Sequence, residues 1–215
     1  YTPSEGFVIS EIFFTGTLTD VEGDWYNDDH YIKIRNNSDQ ILYADSLAIM
    51  ESEFSPVLKY DYTPDIMKDF FSVSWVFMIP GTGKDVPVQP GEELVIAMMG
   101  IDHREYNSRS FDLSKADFEF FDDDAAGTIY PDTDGPTVPN LDKWYSNSLT
   151  VSDFHNRGSM TVAIARMQGT KEDFLLNIVL YFIRKKQKTL FFVFRCEAPM
   201  NFILMVNWLR KTKEP

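Results

Sequence analysis

The sequence predicts an all-β protein, a sandwich of short strands joined by long loops. The first 169 residues divide into roughly seven short runs rich in β-branched and aromatic side chains, each bounded by Gly, Pro, Asn or Asp turn signals. Helical periodicity is nearly absent from them. The chain of 215 residues also holds 18 Phe, 10 Tyr and 4 Trp, which is ample material for one large core.

The runs are taken in chain order. Phe7 to Phe14 (FVISEIFF) is apolar with Ser10 and Glu11 interrupting, as a mostly buried strand would be. A polar loop follows (GTLTDVEGDWYNDD) and carries Trp25 and Tyr26. HYIKIRN alternates, with Tyr31, Lys33 and Arg35 on one face and Ile32 and Ile34 on the other, so it is a half-buried strand. NNSD then turns the chain, because Asn and Asp bond their own backbone and tolerate left-handed conformations. ILYADSLAIMES continues as extended chain.

Ser72 to Pro80 is another strand, ended by Pro80 and the GTGKD loop. Pro90 and Gly91 suit the second and third positions of a type II turn before a strand at Leu94 to Met99. ADFEFFDDD reads as a strand edge. The stretch from Gly127 to Asn147 (GTIYPDTDGPTVPNLDKWYSN) reads as a long loop with three prolines, and Ser159 to Arg166 as the last clear strand.

Charge divides the chain near Thr170. Residues 1–169 hold 29 acidic against 11 basic side chains, or −18, and residues 170–215 hold 4 against 9, or +5, which together give the net −13. This places a sandwich domain at 1–169 and an atypical basic and apolar segment at 170–215. In the latter, KEDF can cap a short helix, and the blocks after it fit buried strands or a core helix equally well. A net charge of −13 repels phosphate backbones and disfavours a nucleic-acid partner. The single cysteine, Cys196, excludes an intrachain disulfide framework and a cysteine zinc cluster. No run reaches the roughly 18 to 20 apolar residues of a membrane-spanning helix. Because the chain begins at Tyr1, the expectation is that a preceding segment, with any export signal, has been removed.

Four motifs occur in an order that resembles a lamin-tail domain. They are Ser10-Glu11-Ile12, Tyr31 to Asn36 before an Asn-rich turn, Ala44 to Leu47, and Val88 to Ala97. The resemblance spans roughly Phe7 to Arg166. More narrowly, YIKIRNNSD followed by ILYADSLAIMES is similar to a lamin-tail-like family of exported lipoproteins from gut-dwelling bacteria, with Ser46 where that pattern has Gly. The resemblance implies an immunoglobulin-like sandwich in the cell envelope or secreted, with an N-terminal lipid anchor ahead of this chain as its one membrane attachment. It implies no known activity. Residues after Leu175 depart from the family's acidic, Tyr-rich pattern, and a reading-frame slip there is the expectation.

Three sets of residues can carry chemistry. The acidic loops place Asp122, Asp123, Asp124, Asp132 and Asp134 together in sequence, and hard oxygen ligands in loops are what calcium takes; Asp122, Asp124, Asp132 and Asp134 are its candidate ligands. DTDG lacks the third spaced acid and the distal Glu of an EF-hand loop, and turn residues with surface charge are the favoured reading of these acids. Asp28, Asp29 and His30, and likewise Asp102, His103 and Glu105, offer imidazole with carboxylate, which suits zinc or manganese, without the spacing of a metalloprotease helix. Trp25, Tyr26, Trp144 and Tyr145 are aromatics expected in loops, where they either stack on sugar rings or cap the core. Ser152, Asp153 and His155 are adjacent, but a catalytic triad is assembled in space from separate segments. No nucleophile elbow, P-loop or dinucleotide fingerprint occurs.

The resulting expectation is a non-enzymatic, extracytoplasmic structural or interaction module, its partner a protein or glycan. The alternative is a carbohydrate-binding module, with calcium as the one cofactor to consider. A hydrolase requires His30, His103 or His155 to meet two carboxylates in one pocket.

Overall fold

In the computed structural model of the chain, the described residues are 6–57, 70–125, 131–148 and 150–176, with the backbone of strands at 178–182, 190–195 and 202–206. In order, the strands are β1 (Phe7–Phe13), β2 (Thr17–Leu18), β3 (Trp25–Tyr26), β4 (Tyr31–Asn36), β5 (Leu42–Tyr43), β6 (Leu47–Glu51), β7 (Phe70–Ser72) and β8 (Trp75–Met78). Then come β9 (Pro87–Val88), β10 (Glu93–Ala97), β11 (Phe118–Glu119), β12 (Asp142–Ser146) and β13 (Val162–Arg166). Helix α1 (Lys171–Leu176) precedes β14 (Ile178–Phe182), β15 (Leu190–Arg195) and β16 (Phe202–Val206). No helix among the described residues is long and apolar enough to cross a membrane.

Two sheets face each other, so the all-β sandwich expected from the sequence is the fold observed. One has the order β1-β4-β10-β11 and the other β12-β8-β6-β13-β16. Ile32, Ile34, Leu94 and Ile96 of the first meet Leu47, Ile49, Trp75, Phe77, Val162 and Ile164 of the second in a single buried cluster. Burying each such side chain contributes about 1.5–3 kcal/mol. Trp75, Phe77, Phe120 and Phe154 pack edge to face at centroid distances of 5.3–5.7 Å where they meet Phe120 or Phe154.

Strand β4 alternates as its sequence predicts: Ile32 and Ile34 are fully buried, while Tyr31, Lys33 and Arg35 are not. The five residues of β6 are all buried, which removes the alternation a one-sided strand shows. Leu47 and Ile49 enter the central cluster. Ala48 and Met50 enter a second cluster on the outer face, with Val76, Met78, Ala163, Ala165, Phe71 and Phe174. In β1 the register shifts between Ile9 and Glu11, so Ser10 is the extra residue of a bulge. That bulge is why FVISEIFF lacks clean alternation.

Turn chemistry follows the sequence closely. Gly91 has φ +79° and Glu92 N donates to Gln89 O (3.0 Å), the type II arrangement at Pro90-Gly91. The buried Asn36 accepts from Ser38 N at 3.0 Å and donates to Gln40 O and Val88 O, so the Asn-rich stretch is scaffold. Thr170 and Asp173 exchange side-chain bonds with each other's backbone N–H at 3.2 Å, capping α1.

Two expectations change. Asp142–Ser146 is not loop but strand β12, paired with β8 at the edge of the five-stranded sheet. ILYADSLAIMES is not one extended run either, because the chain turns at Ser46, which sits at φ 60°, between β5 and β6. The backbone of β16 pairs with β13 and that of β15 with β7. The frame slip expected after Leu175 concerns side chains that lie outside the described residues, as does Cys196.

Candidate functional site

Loops entering and leaving the strands converge at one end of the sandwich: residues 14–30, 98–113 and 151–160. The hairpin β2-β3 stands there, held by Thr19 N to Asp24 O (3.1 Å) and by pairing of Leu18 with Trp25. Gly16 lies under it at φ +69°, and a Cβ there would come 2.1 Å from the Tyr26 carbonyl oxygen, so no larger residue fits. Leu18, Val21 and Trp25 leave the hairpin exposed to solvent, Trp25 by 48%.

Beneath the hairpin lies a set of polar side chains, several of them wholly buried. Asp29, 0% exposed, accepts from Thr17 Oγ1 at 2.7 Å and from the Ser110 hydroxyl. His30, also 0% exposed, directs Nδ1 at the Asp153 carboxylate at 2.8 Å, so that nitrogen carries the proton. Among the described residues its Nε2 and Asp29 Oδ1 have no protein partner. His103 donates from Nε2 to Met99 O (3.0 Å) and accepts at Nδ1 from the Tyr26 hydroxyl (2.8 Å), a neutral tautomer. Burial lowers its pKa to match, and burial with the nearby Asp28 and Asp29 pushes the Tyr26 phenol up.

Glu51, at the close of β6, is a further buried acid of this region. Its Oε1 accepts from His155 N at 2.9 Å, yet burial, helped by Asp153 and Glu53, pushes the carboxyl up to about 7. It faces a cavity of about 20 Å³, lined also by Ile12, Phe14, Phe154, His155 and Met160, with room for about one water.

Above these groups the same loops form an open cleft of about 400 Å³. Thr15, Asp24, Trp25, Asn27, Asn156 and Arg157 line it. That volume lies within the roughly 300–1,000 Å³ of small-molecule sites.

The residues singled out in the sequence are distributed as follows. Trp25 lines the cleft, and Tyr26 turns inward to His103. Trp144 and Tyr145 are on β12 and pack against the outer core cluster, Trp144 on Phe174 at 5.6 Å, so they belong to packing and not to a loop. Asp28, Asp29 and His30 do not point at one centre. Asp102 binds Arg104 at 2.6 Å. Ser152, Asp153 and His155 form no triad: Ser152 Oγ donates to Asp122, Asp153 accepts from His30, and His155 bonds Ser159 and Arg157 N.

Nor are the four candidate calcium ligands one set. Among the described residues, Asp122, Asp123 and Asp124 alone bring three candidate ligand atoms within 4.8 Å. Lys143 Nζ already sits among them, 2.5 Å from Asp122, 2.6 Å from Asp124 and 3.5 Å from Asp123. Asp132 instead accepts from Asp122 N (2.8 Å) and Asp134 from Asn140 (3.0 Å). A side-chain ammonium thus fills the position a cation needs. Burial raises the Asp132 carboxyl to about 6.

Sequence reasoning missed Glu51, Asn156, Arg157 and Thr15. Glu51 had a readable signal, a lone acid closing an otherwise apolar strand. The other three have none, because ordinary polar loop residues become a site only through their neighbours.

A family model described as "Protein of unknown function (DUF4876)" matches residues 89–204. No curated protein matches the chain. Among solved structures, a DUF4876 family protein from Bacteroides thetaiotaomicron VPI-5482 is similar, with a TM-score of 0.67 and 17% identity over 90% of this chain. The chain spans about half, 51%, of that protein's length, and at this identity the likeness is one of fold.

Proposed function

The chain belongs to the DUF4876 family of proteins of unknown function, and from that premise we propose that it is a non-catalytic ligand-binding module working outside the cytoplasm. One observation carries the reading. At the loop end, the imidazoles of His30 and His103 are buried, His30 against Asp153 and His103 between Tyr26 and Met99 O, whereas the groups around Trp25 are open to solvent. Resemblance to exported lamin-tail-like lipoproteins supports the compartment, an immunoglobulin-like arrangement of the sheets and a lipid anchor ahead of this chain. Lys143 among the acids supports a module that works without calcium.

A hydrolase is the second reading, favoured by the His30–Asp153 pair together with Asp29. Against it, the imidazole is wholly buried and, among the described residues, no hydroxyl bonds its Nε2, so a nucleophile there lacks its base. Incubating the protein with chromogenic esters, glycosides and phosphoesters separates the two: turnover that disappears in Asp153→Asn rejects the binding module. Fractionating the source cells tests the compartment, and recovery in the cytoplasm rejects export.

The departure of residues 176–215 from the resembled pattern supports a frame slip after Leu175, although the family match itself continues to residue 204. Sequencing the gene decides it. Without a single-base change near codon 175 that restores an acidic, Tyr-rich reading, the slip is rejected.

A further inference from the structure

We infer that the cleft beside Trp25 is a subsite for a neutral sugar, a pyranose ring lying on the indole with its hydroxyls held by Asn27, Asn156 and Arg157; this rests on the binding-module reading. The lining has one large apolar surface, the Trp25 ring, set among amides, a hydroxyl, a carboxylate and a guanidinium. A pocket for an apolar ligand is lined mainly by hydrophobic side chains, and this one is not. The ligand it matches is flat and apolar on one face and hydroxylated at its rim, which describes a pyranose.

The polar groups are also free to bind. Among the described residues, the side chains of Asn27, Asn156 and Arg157 make no hydrogen bond to the protein. Asp24, by comparison, already accepts from Thr19 Oγ1 at 3.2 Å, so donors predominate at the rim. Hydroxyl oxygens accept from such donors. The backbone of Trp25 is held by its pairing with Leu18 across the hairpin and by the bond from Thr19 N to Asp24 O.

Charge narrows the ligand. Asp24 and Arg157 balance locally, and a net charge of −13 repels polyanions, so uronic-acid polymers and nucleic acids are disfavoured. A quaternary ammonium is recognised by a cage of several aromatic rings, whereas among the described residues Trp25 is the single ring lining this cleft.

The test uses the whole chain against an array of neutral gluco-, manno-, galacto- and xylo-configured oligosaccharides beside oligogalacturonate, with calorimetry on the strongest neutral binder. Trp25→Ala is expected to weaken that binder at least tenfold, as is Asn156→Ala with Arg157→Ala from the opposite loop, while Ile41→Ser, at an exposed site elsewhere, leaves it unchanged. Trp25 is half exposed, so its removal leaves the melting temperature near that of the parent. Affinity unaffected by both cleft variants, preference for oligogalacturonate, or binding to no sugar overturns the assignment. Failure on the array without turnover in the hydrolase screen removes the sugar and leaves the binding module standing; turnover removes the module itself.

Discussion

Replacing Glu51 with Gln is expected to stabilise the protein at pH 8 and to change little at pH 5. Glu51 is 6% exposed, and its carboxyl is raised from 4.5 to about 7, chiefly by burial. A carboxyl whose pKa is higher folded than unfolded binds more protons in the folded state, so stability falls as pH climbs between the two values. Below 4.5 both states hold the proton and nothing is lost. Above 7 both are ionised, and the folded state bears the whole penalty. The interval of 4.5 to about 7, at about 1.4 kcal/mol per pH unit, sets the penalty at about 3 kcal/mol. Gln keeps an oxygen for the His155 N–H, so at pH 8 the variant recovers most of that. Urea denaturation of both proteins from pH 5 to 9 measures it. A difference that is constant across pH, or that shrinks as pH rises, refutes burial of an ionisable Glu51 as the cause.

Three further outcomes follow from packing. Ser46→Gly is expected to stabilise by about 1 kcal/mol in thermal melts, because Ser46 is held at φ 60° where a side chain is strained. Asp45→Ala is expected to destabilise by about 3 kcal/mol in urea, since the buried Asp45 accepts from the N–H groups of Gly83, Asp85 and Val86 at 2.9–3.0 Å and the variant orphans all three. Burial opposes ionisation of that carboxyl, but these bonds outweigh it and hold the pKa below 3.8, so in the parent protein their contribution fades only as pH falls below that value. Lys143→Ala is expected to destabilise by about 3–5 kcal/mol, by leaving the buried Asp122 carboxylate without its cation. The same variant gains a calcium-dependent rise in melting temperature that the parent lacks, and a parent that responds to calcium contradicts Lys143 as the resident cation.

The local code of this chain was readable where a signal needs only its near neighbours. The alternation of Tyr31 to Arg35, the Asn36 turn, the Pro90-Gly91 turn and the short helix at KEDF are each decided within a few residues, and all appear where the pattern placed them. Reading failed where both faces of a strand are covered, as in β6, and where strands are two residues long, as in β2 and β3, which no period can reveal. It failed again at Trp144 and Tyr145, whose Pro-rich approach reads as loop although β8 supplies a pairing edge.

From the sequence by itself came the all-β class, the positions of the longer strands and turns, and the net acidic charge. All of these depend on residue type and short spacing. The candidate site depends on neither. His30 meets Asp153 across 123 positions, Asn107 meets Thr17 across 90, and Trp25 shares a cleft with Arg157 only because both hairpin and loop are hung from the same end of two packed sheets. Likewise, the composition of the acidic loops cannot tell a calcium site from a lysine pocket. The pairing of β12 with β8 is what carries Lys143 to the carboxylates.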